Sequence, residues 1–530
     1  MLKSTLLLSL LSLGINCAPT GDGGACRVVF VPLPVVTTVE APRPTTPVTD
    51  PVTNSRAGVV NSVVRDAKMV MVAPASSNKA DTAAAWTTMG RPSKVTSSAT
   101  RVSPSNKLSP TGTNTVTMTT TLTISSKAPS YTPGTDQGDG VEVVGRKNVV
   151  YFTNWSAYGA NYTPAEIPAG DVTHLLYAFG DISDTGEAIS SDIYADVQKQ
   201  YTTMHQRDSQ AQGNIGQIYT LKKQNRNMKA LLSIGGSSYS AAGKFVPATS
   251  TAEGRRRFAR SAVRLVANWG FDGIDIDWEY PKTKTEAADF VSLLQETRYE
   301  LNRYAKENNQ TYHYLLTVAA SAGPGHYKLL NLGAMDHFVD SWHLMAYDYA
   351  GAWDETTGHQ ANVYPDPANK ASTKFNTEQA VDDYIAAGIA PEKIILGFPL
   401  YGRAFMQTDG MGAPFSGVGS GSIEPGVWRY KDLPLPGATV TVDDGVLAAY
   451  SYDAHTKMLI SYDNAESTSL KARYLKQRGL GGAVFWEASG DRSGEESLVT
   501  AMARDIWPLQ DSKNMLQYPK SEFLNIRWSS

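Results

Sequence analysis

Cysteine is nearly absent: the chain of 530 residues has two, Cys17 and Cys26. Disulfides therefore cannot stabilise anything that follows, and whatever folds must rely on a core large enough to stand alone. Positive charge is not in excess either, with 48 Lys+Arg against 51 Asp+Glu and a net charge of −3. That gives no footing for nucleic acid or an anionic membrane surface. The eight histidines show no metal-ligand spacing, so neither metal nor cofactor is expected. The glycines within 417–421 lack the strand-then-helix setting of a phosphate loop. Long apolar runs are missing, and the stretch from Leu6 to Leu13 is too short to span a bilayer. With Lys3 ahead of it and the small-residue exit Asn16-Cys17-Ala18 behind, residues 1–18 read as a secretory signal peptide. A secreted protein is expected, extracellular or associated with a cell wall. Cleavage near Ala18 would leave Cys26 alone, either free or bridged to another molecule.

Aromatic side chains are scarce between residues 36 and 140, where Trp86 and Tyr131 are the only ones. Thr, Ser, Pro, Ala and Val dominate there, without a sustained amphipathic period. Such a stretch cannot bury enough apolar area to offset the entropy of ordering it. Residues 19–140 are expected to form a disordered Ser/Thr/Pro-rich linker or stalk, O-glycosylated, with the apolar 59–72 patch as a docking candidate. The folded region is placed at 141–510, and a mostly polar tail, 511–530, is expected to wrap its surface.

From residue 141 onward the pattern changes. Eight short apolar segments recur, at 148–152, 172–179, 228–236, 271–279, 312–320, 338–347, 393–400 and 482–486. Several are continuous in hydrophobicity, as parallel strands buried on both faces should be. Helical periods lie between many of them, at 252–269, 286–307, 377–387 and 467–478. This alternation predicts an α/β fold, a (β/α)8 TIM barrel. The interval from 403 to 480 is too long for one crossover and holds short alternating runs, so a small antiparallel α+β insertion, about 405–465, is expected between strands 7 and 8.

The most informative ten residues run from Phe271 to Tyr280. Ile274, Ile276 and Trp278 alternate with Asp275, Asp277 and Glu279, which puts three carboxylates on one face of a strand. Carboxylates so placed repel one another, and at least one should hold a proton near neutral pH. A retained proton is what a general acid needs. Glu279 closes the strand, and barrel active sites sit at the C-terminal ends of strands.

This segment resembles the signature of glycoside hydrolase family 18, the chitinases, whose pattern is Asp-Gly-x-Asp-x-Asp-x-Glu. Asp272, Gly273, Asp275, Asp277 and Glu279 fill every fixed position. Further matches follow in order from Tyr151 to Trp486. The resemblance implies a retaining, substrate-assisted hydrolysis of β-1,4-linked N-acetylglucosamine, in which the substrate's acetamido oxygen replaces the usual second carboxylate. It implies Glu279 as general acid and Asp277 as the group that orients the acetamido N–H. Asp275 would share a proton with Asp277. In the Met345-Ala346-Tyr347-Asp348-Tyr349 motif, Tyr347 would hold the acetamido carbonyl and Asp348 sugar hydroxyls, with Met345 on the same inward face as Tyr347. Trp486 would floor the −1 sugar, with Tyr151 and Phe179 around it, although Phe179 is equally suited to a core. Trp353 matches an aromatic on the leaving-group side, and Tyr401 and Arg403 are implied sugar contacts. The Ser233-Ile234-Gly235-Gly236 stretch matches a third-strand motif read mainly as close packing. One departure stands out: Ser237 occupies the place where many long-cleft relatives carry a stacking Trp.

Two other readings remain at this stage. An endo-β-N-acetylglucosaminidase acting on N-glycans would share the motif, and a chitin-binding lectin would share the fold. Retention of Glu279 argues against the lectin. The partner expected is therefore chitin or a chitooligosaccharide, bound by a monomer. Glycosylation sequons stand at Asn154, Asn161 and Asn309; Asn154 is expected to be inaccessible and the other two loop-like.

Overall fold

The computed structural model describes residues 145–201 and 210–528. The expected signal peptide and stalk, with Cys17, Cys26 and the 59–72 patch, lie outside these residues. Eight parallel strands form the centre: β1 (Lys147–Thr153), β2 (His174–Ile182), β3 (Lys229–Gly235), β4 (Gly273–Asp277), β5 (Leu315–Ser321), β6 (Ser341–Met345), β7 (Ile394–Pro399) and β8 (Gly482–Trp486). Each pairs with its neighbour in sequence, and β8 returns to β1, so the sheet closes on itself. The result is a (β/α)8 TIM barrel.

Strand alternation explains the division of the core. Val149, Tyr151, Leu176, Ala178, Leu231, Ile395 and Val484 form a cluster inside the barrel. Their neighbours in sequence, among them Val150, Phe152, Leu175, Tyr177, Leu232, Ile274 and Ile276, belong to a second, larger cluster that includes residues of the surrounding helices. Strands so apolar on both faces show a near-continuous hydrophobic run rather than an in–out pattern.

The helical layer includes α1 (Gly213–Gln224), α2 (Ala252–Trp269), α3 (Lys284–Glu307), α4 (Thr377–Ala386), α5 (Ala465–Gln477) and α6 (Leu498–Asp505). The caps account for the sharp bounds of α2. Thr251 accepts from the Gly254 N–H, and Gly270 ends the helix at φ 72°. At α3 a Thr283/Glu286 capping box does the same work. Helix α1 was not among the expected helices, because two glycines and few large apolar residues blur its period; it nevertheless buries Ile215, Ile218 and Tyr219.

The segment between β7 and β8 carries a five-stranded antiparallel sheet built from Tyr401–Phe405, Val427–Arg429, Thr439–Asp443, Ala448–Asp453 and Met458–Ser461. Its helical part is one 3-10 turn, Tyr430–Asp432. The first strand starts two residues past the end of β7, so Tyr401 and Arg403 are held by barrel and insertion together.

The tail corrects an expectation. It does not merely wrap the surface: Tyr518, Ser521 and Ile526 are fully buried. The Tyr518 hydroxyl donates to the Phe271 carbonyl (2.8 Å), and the Met515 N–H donates to Asp272 (2.8 Å). Asn514 donates to the Lys222 and Met228 carbonyls at 2.9 and 2.7 Å. A few anchors, spaced among polar residues, are enough to dock a segment whose average composition looks solvated. Beneath them lies a fully buried ion pair, Lys222–Asp272 at 2.7 Å. Asp272 also accepts from the Ala230 N–H and the Tyr312 hydroxyl. The first acid of the signature therefore belongs to the closed, N-terminal end of β4, on the far side from Glu279. Among the described residues no helix is long and apolar enough to cross a membrane.

Candidate active site

Strand β4 delivers its acids into the barrel interior in the order the alternation requires. Asp275 is fully buried. Its Oδ2 accepts from the Tyr151 hydroxyl (3.1 Å) and the Ser233 hydroxyl (2.7 Å), and its Oδ1 accepts from Thr317 (2.6 Å) and lies 3.1 Å from His343 Nδ1. Burial would raise its pKa, but the bonds from His343, Thr317 and Ser233 outweigh that and hold the carboxyl below the usual range. Asp277 is the opposite case. It is buried, and its Oδ1 has no hydrogen-bond partner among the described residues. Burial first, then the charges of Glu279 and Asp275, push its pKa well above the ordinary carboxylate value.

Glu279 lies two residues past the end of β4 and is half-buried. Burial lifts its pKa to about 7, with Tyr280 opposing through a hydrogen bond and Asp348 adding to the rise. Two of three adjacent acids thus favour the protonated form, and the innermost stays ionised. The backbone here is held by Ser240, whose hydroxyl accepts from the Glu279 N–H at 2.8 Å. Non-proline cis peptides occur at Ala178–Phe179, Glu279–Tyr280 and Trp486–Glu487.

A second cluster forms beside the first. Asp348 sits at φ 62°, a left-handed conformation uncommon outside glycine. Its Oδ1 accepts from the Tyr401 hydroxyl and from Arg403 Nε, both at 2.6 Å. The Arg403 guanidinium lies 4.7 Å from the Trp353 ring centre and 5.5 Å from that of Tyr401. Trp353 is itself 59% exposed. Tyr347 packs edge-on to Tyr401 at 6.3 Å, and burial, then Tyr401 and Asp277, raise its pKa well above that of a free tyrosine. Its hydroxyl therefore stays a donor. Met345 ends β6, half-buried.

Trp486, at the end of β8, supplies the aromatic floor. Phe179 stacks on it at 5.6 Å and 23°, and Tyr151 meets it edge-on at 5.1 Å. Trp155, half exposed, continues the row 6.1 Å from Phe179. Phe179 is 8% exposed and belongs to the interior cluster while also walling this row. Gly235 and Gly236 make the approach possible. A Cβ on Gly235 would meet the Asp277 carbonyl at 2.2 Å, and one on Gly236 the Phe179 ring at 2.7 Å. Ser237 is exposed at the start of a short helix, Ser237–Ala241, and Tyr239 packs against the Phe179 cluster.

The structure thus gathers Tyr151, Phe179, Asp275, Asp277, Glu279, Tyr347, Asp348, Trp353, Tyr401, Arg403 and Trp486 at the C-terminal ends of the strands. Tyr151 lies against Trp486, and its hydroxyl also donates to Asp275. Ser233 is more than close packing, because it too donates to Asp275. Residues not foreseen are Ser240, Thr317 and His343. Thr317 and His343 are polar exceptions in apolar strands, pointing inward by alternation, and that was the available signal.

Comparison with known proteins places this geometry. Residues 147–491 match Glycosyl hydrolases family 18. "Endochitinase 1" of Metarhizium robertsii is 48% identical over 394 residues, covering 74% of this chain and 92% of that protein. "Chitinase 1" of Aphanocladium album is 48% identical over 385 residues, covering 72% and 90%. Among solved structures, the catalytic domain of psychrophilic chitinase B from Arthrobacter TAD20 superposes with a TM-score of 0.64 at 30% identity, covering 71% of this chain and 99% of that one.

Proposed function

The chain belongs to glycosyl hydrolase family 18 and is a chitinase, and from that premise we propose that it cleaves β-1,4 N-acetylglucosamine linkages by a retaining, substrate-assisted route. Glu279 protonates the glycosidic oxygen as the bond to the anomeric carbon breaks. The acetamido oxygen of the same sugar attacks that carbon and forms an oxazolinium ion. Water then opens the ion, and Glu279, now ionised, takes its proton. The observation that carries this reading is the contrast within the acidic row: Glu279 titrates near neutrality while Asp277 beside it is buried with an unpartnered oxygen. An acid with a pKa of about 7 is protonated often enough to donate and ionised easily enough to act as base in the second step.

The unpartnered Oδ1 of Asp277 is suited to accept the acetamido N–H, which then offsets the positive charge of the ion. Tyr347 donates to the acetamido carbonyl and steers it toward the anomeric carbon. Trp486, flanked by Phe179, stacks the apolar face of the sugar being cleaved. Asp348, held by Tyr401 and Arg403, accepts from hydroxyls, and exposed Trp353 stacks the leaving group. Secretion of a monomer, through the leader at 1–18, goes with this reading. So does N-glycosylation at Asn161 and Asn309, both exposed at turns, and not at Asn154, which is buried and bonded to Ser191 and Asp196.

The test is the anomeric form of fresh product from a chitin oligomer, read by NMR before mutarotation. The β-anomer is expected, and cellulose oligomers, which lack the acetamido group, should be inert. The α-anomer as first product would refute the scheme.

A further inference from the structure

Asp275 has more donors around it than a sugar-cleaving residue needs if it only spaces the row. An ionised carboxylate offers about four lone-pair sites. Tyr151 and Ser233 take those on Oδ2, and Thr317 takes one on Oδ1. The fourth is met by His343, on β6, whose Nδ1 lies 3.1 Å from Oδ1 with both side chains buried. A protonated Asp275 would have to find an acceptor within this ring of donors. Asp277, two residues on, has a buried oxygen with no partner among the described residues, where an ionised carboxylate is poorly served.

We infer that His343 is a positioning residue of the hydrolytic site: its Nδ1–H, given to Asp275, keeps that carboxylate ionised and so leaves the shared proton of the acidic pair on Asp277. His343 belongs to no motif quoted above; it meets Asp275 at 3.1 Å and the Tyr151 ring edge-on at 6.5 Å. The titratable groups facing it are Asp275 on β4, Tyr151 on β1 and His174 on β2, the last near enough for the two rings to interact electrostatically. Neither Tyr151 nor His174 carries a charge beside Asp275: burial, before any other cause, favours the neutral form of each. The role of His343 rests on the proposed use of Asp275 and Asp277 in catalysis.

Two substitutions separate donor from filler. His343→Leu retains apolar volume and loses the N–H; in His343→Asn the side-chain amide nitrogen reaches nearly the position of Nδ1 and restores it. In kcat/KM against pH on a soluble chitin oligomer, His343→Leu should move the acid limb toward neutrality by about one pH unit, the worth of one charge-assisted hydrogen bond. His343→Asn should return it to the wild-type position, despite its smaller volume. If His343→Leu does not fold, His343→Phe, which keeps the ring, takes its place. An acid limb unchanged in the donor-free variant, or displaced more in His343→Asn than in His343→Leu, would overturn the inference. Glu279→Gln, run alongside, separates this from failure of the underlying scheme: an active Glu279→Gln removes the scheme, whereas an inactive one with unmoved His343 profiles removes only the role of His343.

Discussion

Replacing Glu279 with glutamine should make the protein more stable, and increasingly so as the pH rises. The carboxyl of Glu279 titrates at about 7 in the fold against 4.5 for a free glutamate, chiefly because burial penalises its charge. The folded state therefore binds this proton more tightly than the unfolded state. The stability that Glu279 contributes is complete below pH 4.5 and is lost as the pH rises through about 7. Glutamine has no charge to bury and suffers no such loss. The difference of 2.5 pH units between 4.5 and about 7 corresponds to a ceiling of about 3 kcal/mol. Because Glu279 is only half-buried, screening should bring the observed value to about 1–2 kcal/mol. Chemical unfolding midpoints of both proteins, compared from about pH 4 to about pH 8, measure it. The curves should coincide at the acid end and separate progressively above the unfolded pKa. A gap independent of pH, or a wild type more stable than the variant at the alkaline end, would refute the argument.

Tyr401→Phe removes one of the two short bonds to Asp348, so KM for chitin oligomers should rise by about tenfold, the worth of one hydrogen bond to a charged acceptor, with kcat changed less; steady-state kinetics decide it. Lys222→Ala strands Asp272 in the barrel floor and should lower stability by about 3 kcal/mol, the low end for a broken buried pair because Ala230, Tyr312 and Met515 still donate to it. Its kcat/KM well below the melting temperature should stay within about twofold of wild type, since the pair lies at the end of the barrel away from Glu279. Ser237→Trp should lower KM for long oligomers by up to about tenfold and for short ones less, if the exposed position at the head of its helix borders the leaving-group side. Equal changes for both lengths would place that loop elsewhere.

Much of the barrel was legible because parallel strands buried on both faces produce apolar runs, here recurring with helical periods between many of them. Each of the eight runs overlaps an observed strand, and α2 matched its expected bounds because Thr251 and Gly270 cap it. Helix α1 was missed because amphipathic period is the only signal a helix of that composition could give, and its glycines dilute it. The tail was misread for a related reason: composition averages over residues, while docking depends on a few, here Asn514, Tyr518 and Ile526. In the site, Glu279 and Asp277 were visible because one strand carries them at fixed spacing. The groups that set their protonation were not. Ser233, Thr317 and His343 come from three other strands, and only closure of the sheet brings them to Asp275. A single inward polar residue in an apolar strand looks the same whether it bonds a backbone carbonyl or tunes a catalytic acid. Ser240 was hidden in the five-residue helix Ser237–Ala241, too short to show a period.

The most direct test of the account is turnover of a soluble chitin oligomer by Glu279→Gln, with binding of the same oligomer measured by calorimetry. Removal of the general acid should lower kcat by about 10²- to 10⁴-fold while leaving the dissociation constant nearly unchanged, because the sugar-facing groups around Trp486 and Asp348 are untouched. Turnover close to that of the wild type would remove Glu279 from the chemistry and contradict the account.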